Sequence, residues 1–515
     1  MSRTQWEMTG RTALSLIVAL VATAVIAGVP TPPGLSRAGQ LALSTMALAA
    51  ILWVTKALPL ALTGLLIPVV LTIFGIYDRM EAALSGFADP LIFLFIAGFV
   101  LAEALQTHNI DRRLALNLIN WLGRSPRLLI LAIMLSTAFL SMWVSNTATT
   151  AMMTPVALGV LAGVVGRETE GSGTSNMRVA TLLGTAYAAS VGGVGTLIGT
   201  PPNVVAVAFL DRLVGIEISF VQWLAIGLPI VAVTLPLTWY ALTFWLYPPE
   251  IDDVNDAQSQ AAELVAEEGP MSKRARRAAY IFAATAGLWM LGGLGFLFEG
   301  LLPTAWQVTL FGGDGPNLFG LNGHRGTLYF VVVGLLAIPA LVLSGADDWE
   351  NLIDIDWGTI LLFGGGISLA DALGDTNATA WLAQSVFDTV VGAPLALVVL
   401  SVIVFAVLAT ELTSNTATTT ILAPILIGLG SVLAGTLGVD PIPASVFLTV
   451  TGAVAASFAF ALPVATPPNA IVFGSGHLEQ RDMIRAGVLL NAVMTLVLTA
   501  LVVLLFRLLW PHVLW

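Results

Sequence analysis

The chain has 515 residues, of which 57% are hydrophobic and only 10% are charged, and its formal net charge is −11 at pH 7. Soluble domains carry about 25% charged residues, so this composition excludes a soluble globular protein. The sequence has no cysteine, which excludes disulfides, thiolate chemistry and cysteine-bound metals.

Apolar stretches close to the length that crosses a bilayer, about 20 residues, recur along the whole chain. They lie at 12–29, 39–55, 58–76, 127–144, 148–165, 223–246, 279–298, 327–343, 393–412, 416–435 and 486–509. No small-residue cleavage site followed by a polar domain comes after the first stretch, so it is not a cleavable signal peptide. The sequence predicts an all-α polytopic membrane protein with about 11 transmembrane helices.

Charged residues are concentrated in a few short segments. Seven of the 31 acidic residues lie in 250–268 and five in 347–356, which predicts solvated loops there. The densest basic cluster, Lys273–Arg277, comes just before an apolar stretch, and arginines also flank the first stretch. Basic residues favour the cytoplasmic side, so we expect the basic segments and the N-terminus to lie in the cytoplasm. We expect the loop at 311–326 to lie outside.

Two near-identical hexapeptides, Ser145–Thr150 and Ser414–Thr419, occur in the two halves of the chain. Three other landmarks recur in the same order and at nearly the same offset in residue number, namely Gly98–Leu105 with Gly366–Leu373, Pro155 with Pro424, and Thr200–Asn203 with Thr466–Asn469. These matches indicate an internal duplication, near 85–210 and 353–475. Duplicated units of transporters are often inverted, with the binding site where the copies meet near the bilayer midplane. The sequence alone does not show the inversion.

The Ser-Asn-Thr motifs predict helices that are broken at membrane depth. Their side chains compete for backbone groups, and a proline follows each serine by ten positions. A break exposes a helix N-terminus that suits an anion, carbonyl groups that suit a cation, and hydroxyl and amide oxygens that suit sodium. The alternative is that these residues only form hydrogen bonds between packed helices.

The Thr-Pro-Pro-Asn motifs are weaker signals, because two prolines also occur in ordinary tight turns. The first copy follows Gly192, Gly193, Gly195 and Gly199, and the second follows Ala465. Small residues permit the close approach of a ligand to the backbone. We therefore favour a binding role over a simple turn.

Two apolar stretches, 89–105 and 356–373, are short for a span and fit re-entrant hairpins. Each ends in a carboxylate, Glu103 or Asp371, which is either functional within the membrane or a cap at the mouth of the hairpin. Glu411 lies three positions before Ser414, as either a hydrogen-bond partner or a charge that tunes a cation site.

The motif regions contain no arginine or lysine. Neutral donors alone bind a dianion weakly, so co-bound sodium ions are expected to supply the positive charge. Coupling of anion and cation then follows from the electrostatics.

The segments Ser141–Thr149 and Thr410–Thr418 resemble the two signatures of the divalent-anion/sodium symporter family, which carries dicarboxylates, citrate or sulfate. The resemblance covers most of the chain. It implies two inverted repeats, each with a re-entrant helical hairpin and a broken helix. It also implies a scaffold domain that forms a homodimer and a transport domain that moves by an elevator mechanism.

With that resemblance, the chain divides into five segments. We expect N-terminal scaffold helices in 1–84, transport units in 85–210 and 353–475, scaffold helices and the inter-repeat linker in 211–352, and a C-terminal helix in 476–515.

The family's ligands are carried over position by position. The first sodium site would use Ser141, Ser145, Asn146 and the backbone of Gly199. The second would use Thr410, Thr413, Asn415 and the backbone of Ala465. The substrate would be bound by Asn146, Thr147, Thr200, Ser414, Asn415, Thr416 and Thr466.

The expected function is sodium-coupled symport that imports small divalent anions, above all the four-carbon dicarboxylates succinate, malate and fumarate. Sodium is the transported co-substrate, and no organic cofactor and no nucleic acid partner are expected. The protein would lie in the inner (plasma) membrane among lipids, as a homodimer.

Several alternatives remain open at this stage. The chain could be a sulfate or citrate carrier, or a sodium-independent dicarboxylate exchanger, although intact sodium motifs favour symport. Proton coupling through Glu411 is a lesser possibility. An enzyme is disfavoured, because the four histidines form no metal-binding or catalytic motif. A channel is disfavoured by the paired, discontinuous helices.

Overall fold

The computed structural model describes residues 10–165, 175–251, 254–387 and 394–513. Helices dominate these ranges, and one small two-stranded antiparallel sheet is described, with β1 at Gly313–Pro316 and β2 at Asn322–His324. The sheet lies in the segment 311–326 that the sequence predicts to be an exterior loop.

The first half of the chain has eleven α-helices among the described residues. They are α1 (Gly10–Gly28), α2 (Arg37–Thr55), α3 (Leu60–Ile73), α4 (Met80–Ala83), α5 (Pro90–Thr107), α6 (Ile110–Leu122), α7 (Pro126–Ser141), α8 (Asn146–Val165), α9 (Asn176–Gly193), α10 (Pro201–Val214) and α11 (Phe220–Tyr240). A 3₁₀ turn (Ser85–Ala88) precedes α5, and a π-helical turn (Ala241–Leu246) extends α11.

The second half has twelve α-helices in the part that the structure describes. They are α12 (Asn255–Glu267), α13 (Lys273–Gly292), α14 (Thr304–Phe311), α15 (Phe330–Leu343), α16 (Trp349–Leu352), α17 (Trp357–Asp375), α18 (Ala378–Phe387), α19 (Leu395–Leu412), α20 (Asn415–Leu437), α21 (Pro441–Ala455), α22 (Pro467–Gly474) and α23 (Gln480–Leu508). Two 3₁₀ turns, Gly295–Phe298 and Trp510–His512, complete the order.

Serine residues fix where several of these helices begin. Ser36, Ser125, Ser219, Ser272 and Ser414 each precede a helix, and each side chain accepts a hydrogen bond from a backbone N–H of the first turn. Such caps satisfy N–H groups that have no partner within the helix. The helices therefore begin at positions that the sequence marks.

Every predicted span contains a helix, which confirms the polytopic helical class. Within the described ranges, eight helices are long and apolar enough to cross a membrane, and four shorter apolar helices accompany them. The eight include α5 and α17, at 18 and 19 residues, which the sequence suggested were too short to span. Both helices continue beyond their apolar stretch through polar residues until a turn ends them. The apolar stretch therefore underestimates the length of each helix.

Each of these two helices leads into a second helix through a short turn. Asn109 lies in the turn between α5 and α6, and Asn377 lies in the turn between α17 and α18. Both asparagines have left-handed backbone conformations, with φ of 52° and 57°. Asparagine adopts this conformation more readily than most residues. The helix–turn–helix pairs lie where hairpins are predicted, and their re-entrance stays a prediction.

The helix boundaries repeat with the offset seen in the sequence. Helices α5 and α17 begin at Pro90 and Trp357, and α8 and α20 begin at Asn146 and Asn415. The correspondence also extends upstream of the predicted repeat. Helix α3 begins at Leu60 and α15 begins at Phe330, which is nearly the same offset in residue number as for the other helix pairs. The duplicated structure is therefore longer than the predicted repeat.

The chain forms two compact units. The first comprises Met1–Ile92, Val205–Glu217 and Asp356–Ala456, and the second comprises Phe93–Val204, Ile218–Ile355 and Ser457–Trp515. Each unit draws on both halves of the chain. The predicted division into scaffold and transport segments stays a prediction.

Corresponding helices approach each other in both units, but far more extensively in the first. In the first unit α3 packs closely on α17, where Gly64 meets Gly365. In the second unit α15 approaches α5, where a Cβ atom on Gly334 would lie 3.0 Å from the Cβ of Ala97. The short apolar helix α3 thus covers α17 from the other half of the chain, whereas α15 meets α5 only locally.

The acidic segments are not simply solvated loops, which corrects the sequence-based expectation. Helix α12 packs on α6 and α8, with Ala261 fully buried. Beyond its end, Glu268 forms an ion pair with Arg112 at 2.6 Å. In the other acidic segment, Asp347 is 3% exposed and lies 3.4 Å from His108. Apolar residues between the acids and basic partners on α6 explain the docking of α12.

We expect Gly365→Ala to lower the thermal unfolding temperature, because its new Cβ would collide with the Gly64 carbonyl oxygen on α3. Such overpacking costs about 1–3 kcal/mol. The measurement is thermal unfolding of the detergent-purified protein. The matched control is Gly435→Ala on α20, whose Cβ would meet no atom within 4 Å. Equal effects of the two substitutions would contradict the packing of α3 on α17.

Candidate functional site

The first Ser-Asn-Thr motif lies at the beginning of a helix. Helix α7 ends at Ser141 and α8 begins at Asn146, and the Ala148 N–H donates to Ser145 Oγ at 3.3 Å. The predicted helix N-terminus is therefore present. Pro155, however, lies inside the continuous helix α8 and causes no break, and Pro424 lies likewise inside α20.

Three oxygen atoms meet at the end of α7. Ser141 Oγ lies 2.6 Å from Asn146 Oδ1 and 2.7 Å from the carbonyl oxygen of Ala189 on α9. Ser141 is fully buried, and Asn146 is 9% exposed. A hydroxyl carries a single proton and can donate it to only one of two acceptors. The hydroxyl oxygen and the remaining acceptor are then close together with no proton between them. A cation bound between these two oxygens would stabilise such an arrangement.

Glycine residues allow further carbonyl oxygens to approach the oxygen atoms of Ser141 and Asn146. A Cβ atom on Gly199 would lie 2.5 Å from the Gly193 carbonyl oxygen and 2.8 Å from the Ser141 carbonyl oxygen. A Cβ atom on Gly193 would collide with Asn146 Oδ1. The structure therefore brings Ser141, Asn146 and Gly199 together, as predicted for the first sodium site.

The second motif reproduces the same geometry in the other compact unit. Thr410 Oγ1 lies 2.7 Å from Asn415 Oδ1 and 2.8 Å from the carbonyl oxygen of Ala456. The three positions correspond to those of the first cluster at nearly the same offset in residue number. Two separate parts of the chain thus form the same arrangement of three oxygen atoms, once in each unit. We call these two arrangements the paired oxygen clusters.

Other predicted ligands have different contacts. Ser414 caps α20 by accepting the Ala417 N–H at 3.1 Å, just as Ser145 caps α8. Thr413 donates to the Trp53 carbonyl oxygen at 3.3 Å. Ala465 belongs to the second unit, whereas Thr410, Thr413 and Asn415 belong to the first.

The predicted substrate ligands differ in exposure. Thr147 is exposed, Ser414 and Asn415 are half-buried, and Thr416 is 9% exposed. Thr200 is buried, and its hydroxyl accepts a hydrogen bond from Asn146 Nδ2 at 3.4 Å.

The Thr-Pro-Pro-Asn motifs begin helices. Pro201 is the first residue of α10 and Pro467 the first residue of α22, positions where proline is favoured because its missing N–H needs no partner. Thr466 caps α22 by accepting the Asn469 N–H at 3.2 Å. Helix α22 packs on α8 and α9 within the second unit.

Sequence reasoning missed two kinds of residue. The carbonyl oxygens of Ala189 and Ala456 carry no sequence signal, because every residue has one. Asn203 and Asn469 did carry a signal, since they are the shared fourth position of the two copies of one repeated motif within this chain. Their amides donate to backbone carbonyl oxygens of the preceding loops.

The carboxylate of Asp371 on α17 takes part in an ion-pair network. Arg212 lies 2.9 Å from Asp89 and 3.5 Å from Asp371, and Ser85 donates to Asp371 at 3.1 Å. The contacts tie α10 and the segment before α5 to α17 inside the first unit, which favours the cap interpretation for Asp371.

Tyr77 binds the end of the same helix. Its hydroxyl donates to Asp375 at 2.9 Å. Burial raises the pKa of Tyr77, and the hydrogen bond to Asp375 raises it further. The phenol therefore stays protonated and keeps donating at any physiological pH.

This architecture is that of a polytopic helical transporter, and comparison with known proteins identifies the family. The chain matches the sodium:sulfate symporter transmembrane region over residues 11–515. The protein therefore belongs to this family of divalent-anion/sodium symporters, whose members are transporters and not enzymes. The resemblance seen in the motifs is confirmed.

Two relatives are similar over most of their length. An uncharacterized transporter of Haemophilus influenzae is 36% identical over 463 residues, which cover 89% of this chain and 90% of that protein. The sodium-dependent dicarboxylate transporter SdcS of Staphylococcus saprophyticus is 33% identical over 478 residues, which cover 92% and 87%.

A solved structure supports the fold. The YdaH transporter of Alcanivorax borkumensis matches with a TM-score of 0.58 at 15% identity, covering 98% of this chain and 99% of that one.

We expect Ser141→Ala and Thr410→Val each to weaken stabilisation of the protein by sodium, because each removes a hydroxyl oxygen from one cluster. Hydrogen bonds and contacts to charged groups contribute about 1.5–3 kcal/mol, so the half-saturating sodium concentration should rise at least about tenfold. The measurement is the unfolding temperature during a sodium titration, with choline keeping the ionic strength constant.

Matched controls are Thr137→Val on α7 and Thr451→Val on α21. Both residues are buried, and their hydroxyls donate to the carbonyl oxygens one helical turn earlier. An unchanged sodium response in both cluster variants would rule out the cation assignment.

Proposed function

We propose that this protein is a sodium-coupled symporter that imports small divalent anions, most of all four-carbon dicarboxylates such as succinate, malate and fumarate. The observation that carries the proposal is the pair of matched oxygen clusters around Asn146 and Asn415. The 33% identity to a relative named as a sodium-dependent dicarboxylate transporter supports both the cation and the anion.

Sodium fits the clusters by its chemistry. It is a hard cation that takes oxygen ligands, as calcium and magnesium do. Hydroxyl, amide and backbone carbonyl oxygens are neutral, so they bind a monovalent ion weakly enough for release. With one cluster in each repeat, at least two sodium ions would travel with each anion.

The anion would be bound by neutral donors. Candidates are the hydroxyl and amide groups of Asn146, Thr147 and Thr200 in one repeat, and of Ser414, Asn415, Thr416 and Thr466 in the other. The helices α8 and α20 begin at these motifs, and their free N–H groups favour negative charge.

Coupling follows from this charge distribution. No arginine or lysine lies within the motifs, so the bound sodium ions are the positive charges that the anion meets. At an effective dielectric constant of about 20, a sodium ion about 6 Å from a carboxylate contributes roughly 3 kcal/mol, on the order of a hundredfold in affinity. By reciprocity the anion strengthens sodium binding equally.

The wider mechanism rests on the family resemblance. We propose alternating access by an elevator movement, a homodimer in the plasma membrane, and a cytoplasmic N-terminus. Fully loaded and fully empty carriers would move, while a carrier loaded with sodium alone would not.

A second candidate is sulfate transport. The matching family description names sulfate, and threonine hydroxyls at 200 and 466 suit sulfate oxygens as well as carboxylates. Citrate is a further candidate of the same chemical class. A sodium-independent dicarboxylate exchanger is less favoured, because both oxygen clusters are intact.

We expect purified protein in proteoliposomes to accumulate succinate when an inward sodium gradient is imposed. Asn146→Ala and Asn415→Ala should each reduce this uptake at least about tenfold, because each removes a cluster oxygen and an amide donor. Radiolabelled succinate uptake measures the effect, and unlabelled sulfate, citrate and malate as competitors rank the substrates.

Asn117→Ala is the control, because the exposed Asn117 amide donates to the Arg113 carbonyl oxygen on its own helix. Uptake that proceeds equally in choline would contradict symport and favour an exchanger. Competition by sulfate but not by any dicarboxylate would establish the second candidate.

A further inference from the structure

The amide of Asn203 joins the beginning of α10 to the loop before it. Its Nδ2 donates to the Gly193 carbonyl oxygen at 2.9 Å and to the Thr196 carbonyl oxygen at 2.7 Å. Gly193 is the last residue of α9, so the amide also satisfies a carbonyl group that the helix leaves without a partner. One side chain thereby closes the loop between α9 and α10.

The amide of Asn469 makes the same pair of contacts. Its Nδ2 donates to the Ala459 carbonyl oxygen at 3.1 Å and to the Leu462 carbonyl oxygen at 3.0 Å. These three residues share one common offset in residue number from Asn203, Gly193 and Thr196. Neither asparagine side chain has any exposed surface. We call the two sets of contacts the amide bridges.

Each bridge shares a carbonyl oxygen with a predicted sodium ligand. The Thr196 carbonyl oxygen also accepts the Gly199 N–H at 3.4 Å, and the Leu462 carbonyl oxygen also accepts the Ala465 N–H at 3.2 Å. Gly199 and Ala465 are the residues whose backbones are assigned to sodium. The amide therefore holds the turn from which each backbone ligand projects.

In the first repeat the bridge also reaches the oxygen cluster. A Cβ atom on Gly199 would lie 2.5 Å from the bridged Gly193 carbonyl oxygen and 2.8 Å from the Ser141 carbonyl oxygen. Because its lone pair already accepts from Asn203, this carbonyl is held in one orientation. A fixed neighbour keeps Gly199 against Ser141.

The orientation of each amide is determined by these contacts. Both N–H groups face carbonyl oxygens, so the Oδ1 atoms point away, and each is buried with no hydrogen-bond partner among the described residues. Leaving a buried acceptor unpaired is unfavourable, yet both repeats of this chain have one at this position. A purely apolar residue would avoid that cost, so the N–H donors must be what these positions need.

We propose that Asn203 is a positioning residue for the first sodium site, an assignment that rests on the proposed sodium-coupled function. It does not touch the ion. It fixes the loop that supplies the backbone ligand Gly199 and thereby sets sodium affinity.

The test is a sodium titration of the unfolding temperature, at constant ionic strength with choline, for wild type and Asn203→Ala. We expect the alanine variant to need about tenfold more sodium for half-saturation, equivalent to about 1.4 kcal/mol of lost binding energy. Asn203→Ser, which keeps one donor, should fall between alanine and wild type. If the alanine variant does not fold, the titration of the serine variant provides the test instead.

The control is Asn176→Ala, since the Asn176 amide on α9 also donates to a backbone carbonyl oxygen, that of Pro248. A purely structural role would lower the unfolding temperature in choline and leave the half-saturating sodium concentration unchanged, and this result would overturn the assignment. A wild-type protein that does not respond to sodium contradicts the proposed function, and the assignment with it. A responsive wild type with unchanged variants contradicts the assignment alone.

Discussion

In each repeat a single hydroxyl proton serves two oxygen atoms that lie within 2.8 Å of the hydroxyl oxygen. Ser141 plays this part between Asn146 and Ala189, and Thr410 plays it in the other repeat. The hydroxyl can donate to only one of the two oxygens, so the other lies close to it with no proton between them. Under the proposed function, a sodium ion at each cluster would stabilise this arrangement.

The surrounding structure keeps these oxygens close. Helix caps at Ser145 and Ser414 fix where α8 and α20 begin, and so fix the asparagines that follow them. Glycine at 193 and 199 removes side chains that would separate the carbonyl groups. The amide bridges close the adjoining loops. All of these groups are neutral, which is why the proposed function makes anion binding depend on sodium.

Much of this arrangement could be predicted from the sequence. Duplicated motifs indicated the side chains that form the two oxygen clusters, and apolar length indicated the helices, because both depend on local residue type. Pro155 and Pro424 do not contribute to the discontinuities at the Ser-Asn-Thr motifs, since neighbouring groups in a packed helix tolerate a proline that would break an isolated one. The docking of α12 was also missed, because it depends on Arg112 and on packing partners distant in sequence. Backbone oxygens in the clusters, such as that of Ala189, leave no trace in the sequence at all.

The central claim is that sodium supplies the charge that holds the anion. Its most direct test is equilibrium binding of radiolabelled succinate to the purified protein over a range of sodium concentrations. The account predicts that affinity rises with sodium, with a limiting slope of about two in a plot of the logarithm of affinity against that of sodium concentration. Succinate affinity that is the same in sodium and in choline would contradict the account.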